Sequence, residues 1–157
     1  MRTHAFRSVL ITLVGFFVLW CQAGAVAAVV RVKPGGNDAN TGADWANAKK
    51  TVAAAIAAAG PGDEIWVAAG TYNEDIANRI SGDDAVDVAL YGGFAGTETA
   101  RQERDFDANP TVLQGTGADA VVRIRENASS ATRVDGFVIT GGTAGILVSG
   151  SAPVVTN

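Results

Sequence analysis

Apolar and polar residues follow two different spacings along this chain, and the change of spacing divides it. Val29–Lys33 (VVRVK) alternates apolar and basic side chains, the period-two pattern of an edge strand. Pro34–Gly42 (PGGNDANTG) reads as a loop. Between Thr51 and Ala59 (TVAAAIAAA), Val52, Ala55, Ile56 and Ala59 recur at i, i+3, i+4 and i+7, which predicts an Ala-rich helix with one apolar face. Gly60-Pro61-Gly62 stops it. So short a helix does not persist alone, so its apolar face must pack on something. Period two then returns. Glu64–Ala68 (EIWVA) is a strand ended by Gly70, and Val86–Phe94 (VDVALYGGF) is the next. Thr111–Leu113 follows, then Val121–Arg125, with Val122 and Ile124 on one face and Arg123 and Arg125 on the other. The charged stretch from Gly96 to Asn109 is a surface excursion.

The last third sharpens the pattern. Arg133–Gly142 (RVDGFVITGG), Ala144–Gly150 (AGILVSG) and Pro153–Asn157 (PVVTN) are β-branched runs set off by Gly, Ser, Asn and Pro. Their even spacing is that of a three-sided solenoid coil, and they stop at Asn157 without a closing element. No second helix of useful length alternates with the strands, which argues against βαβ units. The fold expected is all-β, a parallel solenoid truncated after about two coils.

The N-terminus changes the inventory of chemistry. Arg2 and Arg7 precede the apolar run Val9–Trp20, and Ala25-Val26-Ala27 fits a signal-peptidase site. The run is short for a membrane span of ~20 residues, and bulky Trp20 before Cys21 does not suit a lipoprotein signal. Residues 1–27 are therefore expected to be removed on export. Cys21, His4 and Met1, each the sole residue of its type, leave with them. Zinc sites of Cys and His, Cys nucleophiles, disulfides and Ser-His-Asp triads are then excluded within this chain. Ten of the twelve basic residues remain against sixteen acidic ones, a net charge of −6. That balance disfavours nucleic acid and anionic membrane as partners.

At this point the residues carry a resemblance. Val32–Glu74, Leu90–Gly115 and Val134–Gly142, taken in order, resemble the N-terminal region of secreted right-handed parallel β-helix proteins of the pectin-lyase-like superfamily. The resemblance implies that Thr51–Ala59 caps the open end of the β-helix, with Trp66 and Tyr72 packing near that cap. It implies an inward ladder drawn from Ile65, Val67, Leu90, Val112, Val122, Ile124, Val138, Ile139, Ile146 and Val154. It also implies a bacterial protein that is secreted or held at the cell surface. The organisation expected is a signal peptide (1–27), an edge strand, loop and capping helix (28–62) and the first coils (63–157).

Candidate chemistry is sparse. Asp38-Ala39-Asn40-Thr41-Gly42 has the D-x-N-x-G start of a calcium loop, with Asp44 as a further oxygen donor, but the twelfth position holds Lys49 where an EF-hand needs a bidentate acid. The ordinary reading of Asp38 and Asn40 is an Asx-rich turn. Asp83, Asp84 and Asp87 form an acidic cluster that calcium could bridge, or a solvated loop. Arg123 and Arg125, with Asp135 on the next strand, could grip carboxylates of an acidic glycan, or form a solvated sheet face. Trp45, Trp66 and Tyr72 offer stacking surfaces for sugars or packing for the cap. Asp105 and Asp107, beside Arg101 and Arg104, read as a surface charge network rather than a glycosidase pair. Asn127-Ala128-Ser129 matches a glycosylation acceptor, which a bacterial context makes idle.

No cofactor is evident beyond calcium. The function expected is non-catalytic: a cap and first coils presenting a face to a polysaccharide, a cell-surface glycan or another partner, with self-association through an open C-terminal coil. The alternative is part of a polysaccharide lyase or hydrolase of pectin-lyase-like type.

Overall fold

The computed structural model describes residues 27–76, 87–117, 119–124, 128–150 and 153–156. Of residues 1–27, expected to be a signal peptide, only Ala27 is among the described residues, and Asp83, Asp84 and Arg125 also lie outside them.

The described chain is mostly strands in parallel sheets, with one α-helix. The strands are β1 (Val29–Val32), β2 (Glu64–Ala68), β3 (Gly70–Asn73), β4 (Ala89–Phe94), β5 (Thr111–Gln114), β6 (Ala120–Ile124), β7 (Arg133–Asp135), β8 (Val138–Thr140), β9 (Ala144–Val148) and β10 (Val154–Thr156). Helix α1 runs from Val52 to Ala58. One sheet has the order β1-β2-β4-β7-β10, a second β3-β5-β8, and a third pairs β6 with β9. From β4 onward the chain visits the five-, three- and two-stranded sheets in rotation, and every strand pairing among the described residues is parallel.

Two strands escape the sequence pattern. Gly70, expected to end a strand, opens β3. The run Arg133–Gly142, read as one piece, breaks at Gly136 into β7 and β8, which belong to different sheets. Gly136 adopts φ 78°, a left-handed conformation that side chains with a Cβ rarely take. Its carbonyl sits against β4 so closely that a Cβ on Gly92 would lie 2.2 Å from it. Strand β4 and the β7–β8 corner meet backbone to backbone here.

The pleat also corrects the expected inward ladder. Ile65, Leu90 and Val134 form one buried row of the five-stranded sheet, and Val155, not Val154, continues it. In the three-stranded sheet the inward row is Tyr72, Leu113 and Ile139, whereas Val112 and Val138 face outward. At Val112 and Val154 the error is a shift of one residue inside an apolar doublet, and at Val138-Ile139 only the second of the two expected residues turns inward, because one residue reverses the face. Val67, Val122 and Ile124 are buried as expected, and Ile146 packs against the core from its rim.

Helix α1 packs on β1 and β2, burying Val52, Ala55 and Ile56 in the same core as Ile65 and Val67. Its start is held from several directions. Thr51 Oγ1 accepts from Ala54 N–H at 3.1 Å as the N-cap. The Glu74 carboxylate, from beyond β3, accepts from Val52 N–H at 2.8 Å and Ala53 N–H at 2.9 Å. Tyr72 joins this core. Trp66 does not: it belongs to a separate cluster on the other face of β2, stacked on Phe94 at 4.8 Å.

Candidate functional site

The 34–48 loop closes over the ammonium of the residue that follows it. Lys49 is buried, 7% exposed, and its ammonium donates to Asp38 O at 3.1 Å and Asn40 O at 2.7 Å. The Asp38 carboxylate is turned toward the helix instead. It accepts from Lys50 N–H at 2.9 Å, Thr51 N–H at 2.8 Å and the Thr51 hydroxyl at 3.1 Å. Burial raises the Asp38 pKa, but the bonds from Thr51 and Lys50 and the nearby Lys49 charge outweigh it and hold the group below its ordinary value. Asn40 donates its side-chain amide to Ala48 O, and Asp44 accepts from Asn47. Asp38 thus ties the loop to the helix start, and Asn40 closes the loop on Ala48 and Lys49.

Asp87 ties the segment before β4 to the segment before β7. Its Oδ1 accepts from Ser129 N–H at 3.0 Å and from the Thr132 hydroxyl at 2.7 Å. Hydrogen bonds from the Ser129 and Thr132 side chains lower its pKa. Its proposed partners Asp83 and Asp84 lie outside the described residues. Among the described residues, no group of three or more His, Cys, Asp or Glu side chains is placed to hold a metal ion.

Arg123 and Asp135 are not brought together. Arg123 lies on β6 in the two-stranded sheet and pairs with Asp119, four residues earlier. Asp135 lies on β7 in the five-stranded sheet and pairs with Arg104 at 2.9 Å. Arg125 is outside the described residues. The excursion arginines also choose different partners from those expected. Arg101 reaches Glu64 and the Tyr91 hydroxyl, and Arg104 reaches Asp135, whereas Asp105 accepts from Asp107 and Ala108 N–H in its own turn.

These contacts cover the outer face of the five-stranded sheet. Trp66, Tyr91 and Phe94 are buried there, and Trp45 packs on Phe94 and donates its indole N–H to Glu98 O at 2.9 Å. Arg31 lies over the Trp66 ring, and Arg101 and Arg104 lie over Tyr91. The Glu98 carboxylate pins the excursion by accepting from Ala95, Gly96 and Thr97 N–H. Of the aromatic residues offered for sugar stacking, Trp66 and Tyr72 are buried and Trp45 is half-buried. Burial, and secondarily the charge of Glu74, raises the Tyr72 pKa, and its hydroxyl donates to Ala68 O at 2.9 Å.

The outer face of the three-stranded sheet differs. Register aligns Thr71, Val112 and Val138 in one row and Asn73, Gln114 and Thr140 in the next. Thr71, Asn73, Gln114, Val138 and Thr140 are exposed and Val112 is half-buried. None of the six is charged. Side chains in such a row repeat at about 4.8 Å. A cleft of about 250 Å³ adjoins this face, lined by Pro34, Lys50, Thr71, Tyr72, Asn73 and Glu74. Sequence reasoning missed this face because its amides and hydroxyls are far apart in the chain and only the parallel register assembles them.

Residues 34–157 match the model of a family described as "Protein of unknown function (DUF1565)", which is associated with parallel β-helix proteins. No curated protein and no solved structure matches the chain.

Proposed function

We propose that this chain, which belongs to the DUF1565 family, is a non-catalytic part of an exported right-handed parallel β-helix, whose three-stranded side binds neutral polysaccharide. The rotation of the chain through three parallel sheets supports the solenoid, with α1 as the cap on its first round. The basic and apolar N-terminus followed by Ala25-Val26-Ala27 supports export to the bacterial cell surface or medium.

The observation that carries the binding reading is the uncharged double row of Thr71, Val112, Val138 and Asn73, Gln114, Thr140. Amide and hydroxyl groups at regular spacing exchange hydrogen bonds with sugar hydroxyls as donors and acceptors, and exposed methyl groups meet the apolar faces of sugar rings. On the five-stranded side, by contrast, Glu64 is engaged by Arg101 and Asp135 by Arg104.

Affinity electrophoresis through gels containing xylan, β-glucan or polygalacturonate tests the reading. The exported protein should be retarded by a neutral polymer, and Asn73→Ala with Gln114→Ala should abolish the retardation while leaving the circular dichroism spectrum unchanged. Retardation by polygalacturonate alone, or by neutral polymer equally in the double variant, would refute it.

A further inference from the structure

Ala28 is fixed on both sides of its backbone just before β1 begins. Its carbonyl accepts from Glu64 N–H at 2.9 Å, and its own N–H donates to Asp63 Oδ1 at 2.8 Å. Ala27 makes no hydrogen bond to another described residue. Asp63 belongs to the turn between α1 and β2, where its Oδ2 accepts from Gly60 N–H at 2.7 Å. That second bond holds the carboxylate beside the start of β1. No Lys or Arg side chain among the described residues pairs with it. The charged groups of the neighbouring segments are engaged elsewhere. Glu64 meets Arg101 and the Trp66 indole, Asp87 meets Ser129 and Thr132, and Arg31 meets the Ala43 carbonyl. Helix α1 carries no charged residue. Asp63 therefore holds a neutral amide where a cation would fit.

The signal-peptidase pattern Ala25-Val26-Ala27 places its cut at the peptide bond of that same amide. We propose that processing turns the Ala28 amide into an ammonium that Asp63 holds as an ion pair, so that removal of the leader fastens β1 to the α1–β2 turn. This rests on the export proposed above. In the hydrolysis the Ala27–Ala28 bond breaks, the oxygen of water completes a carboxylate on Ala27, and its two hydrogens convert the Ala28 N–H to NH3+. The bond to Asp63 then joins opposite charges, which makes it roughly twice as strong as a neutral one. It lies exposed to solvent, so its effect is read most directly from the amine. Pairing raises the folded-state pKa of the amine. The stabilisation is then complete below the unfolded value and is lost as pH rises through the folded one.

Intact-mass analysis of the exported protein reads where the chain starts, and acetylation kinetics at its α-amine read the pairing. The expected start is Ala28. At pH 8 the amine should react about fivefold more slowly than that of Asp63→Asn, and the two rates should converge above about pH 10. Asp44→Asn, which alters a carboxylate bonded within its own loop, should react like the wild type. The melting-temperature gap between wild type and Asp63→Asn should narrow over the same pH range, whereas a purely structural role for Asp63 would leave it constant. A chain that keeps residues 1–27 would refute export and this proposal with it. A start at any other residue would overturn this proposal alone. So would a start at Ala28 with equal rates at pH 8, or a rate difference that persists undiminished at high pH.

Discussion

Lys49 is the residue on which the 34–48 loop turns. A lone ammonium this buried is stable only where acceptors surround it, and the carbonyls of Asp38 and Asn40 do so. The same arrangement tells against calcium in this loop, since a divalent ion would have to displace a buried positive charge and detach Asp38 from the helix start. Melting curves recorded in excess calcium and in chelator should therefore coincide. Lys49→Met should lower stability by about 1–3 kcal/mol, the cost of leaving buried acceptors without a donor, and chemical denaturation measures it. A calcium-dependent rise in melting temperature that Asp38→Ala removes would mean that the ion does enter.

At the scale of elements, α1 illustrates how a marginal helix becomes obligatory. Its seven residues are too few for independent stability. Its place depends on Val52, Ala55 and Ile56 meeting β1 and β2, and on the Glu74 carboxylate reaching its first N–H groups. Ile56 is 2% exposed, so Ile56→Asp puts a charge among apolar side chains and should cost about 3 kcal/mol or more. Ala57 lies on the exposed side of the same helix, and Ala57→Lys should change stability by no more than about 0.5 kcal/mol. Equal melting curves for the two variants would mean that the helix is not seated as described. The apolar spacing i, i+3, i+4, i+7 made this helix legible. Glu74 was not legible, because a capping carboxylate so distant in sequence leaves no local signal.

For the whole molecule, carboxylates act as ties: Asp38 joins the loop to the helix start, Asp87 joins the segment before β4 to the segment before β7, and Glu98 pins the turn in which it lies. Burial raises the pKa of Glu98, and bonds from Ala95 and Thr97 N–H more than compensate, so it falls below its ordinary value of 4.5. Asp38 and Asp87 fall below their ordinary 3.8. A carboxylate with a depressed folded-state pKa stabilises the fold fully above its unfolded pKa and loses that contribution as pH falls through the folded value. Melting temperature should accordingly hold with respect to these groups above about pH 5 and decline below about pH 4. Asp87→Asn should flatten that decline, and an unchanged profile would mean that Asp87 carries no such tie. By itself the sequence determined that the chain is mainly strands with one short helix, because hydrophobic spacing, Gly and Pro placement and Ala richness are local properties. It did not determine which member of the doublets Val112-Leu113, Val138-Ile139 and Val154-Val155 turns inward, since either residue satisfies the pattern. The parallel register decides that, by aligning each strand with a neighbour whose inward face is already set. Register likewise decides that Thr71, Asn73, Gln114 and Thr140 share one exposed face and that Arg123 and Asp135 do not, because it is the stacking of rounds, and not proximity in sequence, that makes these residues neighbours.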